Sequence, residues 1–237
     1  MIIIKKQRIK RGDLFENFLK DGCLHTKKVF TDKECNNLLA SMINDWLINE
    51  HTEVRSPRCR VHCPMTLNTF TTSMLRKMVS VYGDVLKEYL DKDNQWLVEF
   101  SSLCAFPGAE SQKVHSDLIV NSDSNHKIVT IFVNLFNVNK KDGPLEVFPG
   151  SHKVDDFVSD LCRKVENGEI PNRLMTGPAG SSVLVDGRIW HRGTGVAWDG
   201  NFRPVFYASF GTVDLLGPLY SIQSSYHKKY TLSDFGL

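Results

Sequence analysis

The sequence predicts a mainly β fold with flanking helices, a double-stranded β-helix (jelly roll, cupin-like). Three observations carry this expectation. From Trp96 onward, about eight short β-branched and aromatic runs are punctuated by Gly and Pro: Pro107-Gly108, Gly143-Pro144, Pro149-Gly150, Gly177-Pro178 and Asp199-Gly200. Before Trp96 the apolar spacing is helical, so helices precede strands instead of alternating with them. At 237 residues, 41% hydrophobic and 24% charged, the chain can bury one sizeable core. A single domain over 1–237 is expected, with a helical layer at about 12–92 and a β core at about 95–213.

In chain order, Thr31 and Glu34 form a capping box at the start of a helix. Cys35, Leu38, Leu39, Met42, Ile43, Trp46 and Leu47 follow at helical spacing on one face. A second helix is expected over about 73–91, with Leu75, Met78, Val79, Tyr82 and Leu86 on its apolar face. The stretch 52–70 between them, with Arg55, Arg58, Arg60 and two prolines, reads as irregular. Strands are expected at 96–106, 113–120, 127–137, 145–149, 173–176, 181–186, 190–197 and 202–213, with a helical insert at about 154–166.

Composition narrows the partners. A net charge of +2 is too small to imply a polyanion, so no nucleic-acid partner is expected, and the basic run at 5–11 reads as a solvated face. No apolar run approaches a membrane span, and Met1–Ile4 does not make a secretory leader. Six cysteines scattered without a small-scaffold pattern read as reduced thiols, hence a cytoplasmic protein. Cys59, His62 and Cys63 lack the second Cys pair that a structural zinc site needs.

The chemistry centres on His115-Ser116-Asp117. Residues two apart on a strand share a face, so this imidazole and carboxylate point the same way. His191, from a distant strand, completes two histidines and one carboxylate on one side of a metal. That set leaves coordination positions open and suits non-haem Fe(II) binding a cosubstrate and O2 together. A hydrogen-bonded surface pair is the plain alternative for an isolated H-x-D. His51-x-Glu53 has the same spacing but sits just past a helix end, where period-2 geometry fails.

The neighbouring segments add to this. Pro107-Gly108 and Gln112 lead into His115; Gly143-Pro144-Leu145 runs on to Pro149-Gly150-Ser151-His152; Trp190-His191-Arg192-Gly193-Thr194 precedes Arg203-Pro204. Phe18–Gly22 and Phe30–Glu34 form a matching opening. In this order the motifs resemble the phytanoyl-CoA dioxygenase family over about residues 12–212. That resemblance implies an Fe(II)- and 2-oxoglutarate-dependent dioxygenase that hydroxylates an unactivated C–H of a small molecule, releasing succinate and CO2. It implies His115, Asp117 and His191 as catalytic iron ligands, and Arg203 as the partner of the far carboxylate of 2-oxoglutarate. Thr194 would assist Arg203, Gln112 would support the site, and Phe132 stands where the family often has Trp. Arg60 is a candidate contact to cosubstrate or to an anionic substrate. In the family His152 belongs to an architectural segment.

Two departures or alternatives bear on that assignment. Arg203 lies one residue further from His191 than is usual in the family. A two-residue hairpin at Asp199-Gly200 would set Arg203 opposite Val196 and turn it away from His191. An odd-length loop or a β-bulge is therefore expected between His191 and Arg203. The alternative functions are a catalytically silent binding module of the same fold and a cupin-like metalloenzyme that does not use 2-oxoglutarate. Asp117, where related halogenases have a small residue, argues against halogenation. Substrate selectivity is expected in 52–70 and 153–172.

Overall fold

The structure is a computed structural model; it describes residues 11–26, 28–48, 53–55, 59–91, 95–118, 125–153, 158–212 and 221–237. The basic run at 5–10 and Arg58 lie outside these residues. Helix α1 (Arg11–Asp21) and strand β1 (Cys23–Thr26) open the chain, followed by α2 (Asp32–Ile48), β2 (Glu53–Arg55), β3 (Arg60–Pro64) and α3 (Thr69–Tyr89). Then come β4 (Trp96–Ala105), β5 (Ile128–Asn134), β6 (Leu145–Val147), α4 (Val158–Glu166), β7 (Arg173–Leu174), β8 (Ser182–Asp186), β9 (His191–Gly193) and β10 (Arg203–Gly211).

The strands form two antiparallel sheets, one of seven strands in the order β1-β8-β5-β10-β4-β3-β2 and one of three in the order β7-β6-β9. This is the expected jelly roll. Side-chain alternation gives the large sheet two uses. Val129, Ile131 and Val133 of β5, Leu184 of β8, and Phe206, Ala208 and Phe210 of β10 face the helical layer. There they pack with Leu75, Met78, Val79 and Leu86 of α3 and Leu38 and Met42 of α2. Fully buried side chains of this size contribute about 1.5–3 kcal/mol each. Val183 and Val185, on the opposite face, pack against Leu145, Val147 and Met175 of the small sheet side.

Caps define the helices. Thr31 N donates to Glu34 Oε2 (2.7 Å) and Glu34 N to Thr31 Oγ1 (3.2 Å), the reciprocal pair the sequence predicts. Helix α3 begins four residues earlier than expected because Asn68 caps it: its Oδ1 accepts from Phe70 N (2.9 Å) and Thr71 N (3.0 Å). Asn and Asp compete with helix interiors but stabilise their ends, typically by about 1 kcal/mol.

Two expectations are corrected and a third is refined. The stretch 52–70 is not irregular throughout: β3 pairs residue for residue with β4, and β2 with β3. Residues 113–118 do not make a regular strand; His115 alone forms a bridge, to His191. The refinement concerns the chain between His191 and Arg203. No hairpin forms, because β9 and β10 belong to different sheets. Instead Val196 bridges Asp142, and a turn carrying Trp198 and Asp199 is closed by Gly200 N to Ala197 O at 2.9 Å. The simple hairpin fails, as expected, and the connection over 194–202 is odd in length, but it crosses between sheets and does not join paired strands.

Candidate metal centre and cosubstrate cavity

Between the sheets lies a cavity of about 890 Å³, its mouth included. The register of the large sheet sets its floor in four rows. One row is Arg60–Ala105–Arg203, and the next is His62–Leu103–Val205–Asn134. The third is Ser101–Tyr207–Phe132–Val183, and the last is Glu99–Ser209–Thr130–Val185. Rows on one face are spaced about 7 Å apart. The small sheet and the chain from Gln112 to Leu118 form the roof. Gly193 N donates to Gln112 Oε1 (2.8 Å) at the arginine end. Leu118 N donates to Gly187 O (2.8 Å), and Gly187 N to Ile128 O (2.7 Å), beyond the opposite end.

His115, Asp117 and His191 stand in the roof between these ends, with one ligand atom of each within 4.8 Å of the others. Backbone carbonyls orient both rings. His115 Nδ1–H donates to Lys113 O (2.8 Å) and His191 Nδ1–H to Ile189 O (3.0 Å). Each Nε2 is thereby left as a lone-pair donor, the tautomer a metal ligand requires. The two Nε2 atoms lie 3.9 Å and 3.7 Å from Asp117 Oδ1. Those distances are too long for hydrogen bonds. They suit donors around one ion bound at about 2.0–2.2 Å after small side-chain adjustments. Burial pushes the His115 pKa down, and the neighbouring His191 adds to that, so the ring is neutral and ready to ligate. His191 is buried while Asp117 is exposed, so the cluster opens to solvent on the Asp117 side.

Arg203 is 4% exposed and Arg60 1% exposed, both lying deep in the fold. Arg60 Nη2 donates to Glu110 O (2.7 Å) and Thr194 O (3.1 Å), which ties β3 to the roof. Its Nε and Nη1, and Nε of Arg203, are buried without a hydrogen-bond partner. Burial, followed by repulsion from Arg60, pushes Arg203 down to about 10, which leaves it charged at neutral pH. Two buried guanidiniums side by side with orphaned donors are costly unless an anion joins them. A planar carboxylate matches their fork geometry. Gly193 makes the approach possible: a Cβ there would lie 2.7 Å from Gln112 Oε1 and 3.2 Å from both Arg203 Nη2 and Arg60 Nη1.

The remaining sequence candidates fall as follows. Gln112 and Phe132 line the cavity. Thr194 directs its hydroxyl to Pro144 O (2.8 Å), and it meets the arginine pair through its backbone carbonyl to Arg60. His152 Nε2–H donates to Leu19 O (3.1 Å), away from the metal cluster. His62 and Cys63 hold no metal with Cys59: His62 Nε2 lies 2.6 Å from the Tyr207 hydroxyl, and Cys63 donates to Pro64 O. Among the described residues, His115, Asp117 and His191 form the cluster able to hold a metal. All six cysteines are free thiols. The sequence reading missed Glu99, Asn134 and Tyr207, whose place in the cavity depends on cross-strand register.

A jelly roll carrying two histidines and one aspartate around a common point, with a buried arginine in the same cavity, defines the class of non-haem iron oxygenases. The chain belongs to the phytanoyl-CoA dioxygenase (PhyH) family, whose family model matches residues 18–197. A segment of 94 residues is 31% identical to dioxygenase aneA of Aspergillus aculeatus, covering 37% of this chain and 30% of that enzyme. The match therefore spans less than a third of that relative's length.

Solved structures share the fold. The α-ketoglutarate-dependent epimerase SnoN from nogalamycin biosynthesis superposes with a TM-score of 0.65 at 16% identity, over 84% of this chain and 82% of that one. The carbocyclase SnoK from the same biosynthesis gives 0.65 at 14% identity, over 89% and 86%. EctD from S. alaskensis, solved with 2-oxoglutarate and 5-hydroxyectoine, gives 0.65 at 18% identity, over 97% and 87%. No helix among the described residues is long and apolar enough to cross a membrane.

Proposed function

We propose that this protein is an Fe(II)- and 2-oxoglutarate-dependent dioxygenase that hydroxylates an unactivated C–H bond of a small organic molecule, with release of succinate and CO2. The observation that carries this reading is the joint presence, in one cavity, of the metal cluster and the buried Arg203, with Arg60 packed beside it and donors of both arginines unsatisfied. His115, Asp117 and His191 would hold the iron, which when bound supplies O2 activation and C–H cleavage. Arg203 would anchor the far carboxylate of the cosubstrate, with Arg60 beside it. Gln112 holds Gly193 in place, so that the roof stays close to both arginines. Phe132 lines the chamber with apolar surface, which keeps water from the bound cosubstrate.

The fit rests on charge. Iron with one aspartate and dianionic 2-oxoglutarate carries a formal charge of about −1, which Arg203 neutralises in a site remote from water. The cupin-like reading without 2-oxoglutarate leaves the buried guanidiniums without a counter-ion. Epimerisation and ring closure are the reactions named for SnoN and SnoK, so the same fold serves outcomes other than hydroxylation. The test is a panel of small molecules assayed for succinate release with Fe(II), 2-oxoglutarate and O2, followed by product mass. Coupled succinate release with the gain of one oxygen atom supports hydroxylation. An isomeric product, or one lacking two hydrogens, refutes hydroxylation as the outcome. The absence of 2-oxoglutarate turnover with any substrate, or without one, refutes the dioxygenase reading.

A further inference from the structure

The cavity floor is electrostatically polar along β10. Arg203 and Arg60 occupy the first row, and the last row, three steps and about 20 Å along the strand, carries Glu99. The metal cluster stands in the roof between those ends, since the chain from Gln112 at the arginine row to Leu118 passes over the middle rows. Glu99 lines the same cavity.

Its placement follows from regular pairing, since Ala105, Leu103, Ser101 and Glu99 alternate on one face of β4 opposite Arg203, Val205, Tyr207 and Ser209. The register of β10 on β4 shifts between Ser209 and Phe210: Ser209 pairs with Glu99, and Phe210 with Leu97. The extra residue, Val98, reverses the alternation only beyond that point, so Leu97 joins the helical core and Glu99 is the last cavity-facing residue of the regular run. The carboxylate is then oriented by a relay of hydroxyls. Ser209 donates to Glu99 Oε2, so its own oxygen accepts from Thr130 Oγ1 at 2.8 Å. Ser209 and Thr130 are fully buried. A hydrogen bond donated to a carboxylate favours its charged form.

On the reading given under Proposed function, the cosubstrate takes the cationic end. The space beyond the metal cluster is then floored by Tyr207, Phe132 and Glu99. We propose that Glu99 is a substrate-recognition residue and that the substrate carries a cationic amine, held at Glu99 while its reacting C–H lies beneath the metal cluster. A half-buried carboxylate attracts an ammonium through charge-assisted hydrogen bonds, which are stronger than those a neutral hydroxyl would make. The same carboxylate repels acidic molecules from the substrate end and so leaves them the arginine end. Glu99 acts by binding and orientation and takes no part in bond cleavage.

The test is anaerobic calorimetry on the Fe(II) protein loaded with 2-oxoglutarate, using three matched probes: cyclohexylmethylammonium, cyclohexylmethanol and cyclohexanecarboxylate. The expected result is that the ammonium probe binds about tenfold tighter than the alcohol, and the carboxylate probe weakest. In Glu99→Gln that preference should shrink to about threefold or less, with cooperative thermal unfolding showing that the variant is folded. The wild-type order decides the matter by itself if the variant does not fold. Equal binding of ammonium and alcohol, preference for the carboxylate, or no binding of the ammonium probe overturns the proposal. Failure of 2-oxoglutarate itself to bind in the first titration counts against the dioxygenase reading instead. The probe series, repeated on the Fe(II) protein alone, still decides the role of Glu99.

Discussion

Arg60 and Arg203 pair with the same residue, Ala105, from opposite sides of β4. Neighbouring strands lie about 4.8 Å apart, so their guanidiniums are delivered to one place by residues 143 positions apart in the chain (203 − 60). Removing one of them separates anchor from scaffold. Arg203→Ala should weaken 2-oxoglutarate binding by roughly 3–5 kcal/mol, the cost of stranding a buried charge, while Fe(II) affinity stays nearly constant. Calorimetry with each ligand in turn checks this. Unchanged cosubstrate affinity would remove Arg203 from the site.

Gly193 offers a finer probe, because an added Cβ would crowd Gln112 Oε1 and both guanidiniums. Gly193→Ala should lower 2-oxoglutarate affinity about tenfold or more, the equivalent of 1.4 kcal/mol, with Fe(II) binding retained. Loss of Fe(II) binding with intact cosubstrate affinity would contradict the arrangement, since Gly193 borders the arginines and His191 lies two residues away.

Asp117 is the one carboxylate of the metal cluster. Asp117→Ala should abolish product formation, and replacing Fe(II) with Zn²⁺ should give an inactive protein because zinc has no redox chemistry. Assays of the reconstituted protein with each metal test both statements. Full activity with Zn²⁺ would point to hydrolytic or isomerase chemistry.

Gly180 tests the helix-to-sheet packing. Its φ is +82°, and a Cβ there would lie 2.1 Å from Phe30 O, in the turn that receives Val29 N at Gly180 O (2.6 Å). Gly180→Ala combines a left-handed backbone with a clash against main chain. A loss of roughly 3 kcal/mol in urea unfolding is expected, at the upper end of ordinary single substitutions. A loss below 0.5 kcal/mol, roughly the scale of a neutral surface change, would show that the turn relaxes freely.

The sequence made the metal cluster readable because it depends on local spacing: His115 and Asp117 are two apart and share a face with His191. The strand itself does not continue; a single bridge from His115 to His191 suffices. The capping box of Thr31 and Glu34 was readable for the same reason, since both partners lie within one turn. What could not be read depends on register between distant segments. Arg60 sits beside Arg203 only because β3 and β10 flank β4, and Glu99 faces the cavity only because the register of β4 on β10 sets it opposite Ser209. The turn signal at Asp199-Gly200 misled in the opposite way. A turn does form there, but local turn chemistry does not say that the flanking strands pair, and β9 and β10 lie in different sheets.

The most direct measurement is an anaerobic titration of the metal-free protein, first with Fe(II) and then with 2-oxoglutarate, in the wild type and in Arg203→Ala. The account predicts one Fe(II) per chain, 2-oxoglutarate binding that requires that iron, and a cosubstrate affinity that falls sharply in the variant while the iron stoichiometry is kept. Iron binding without any 2-oxoglutarate binding, or 2-oxoglutarate binding indifferent to both the iron and Arg203, would contradict it.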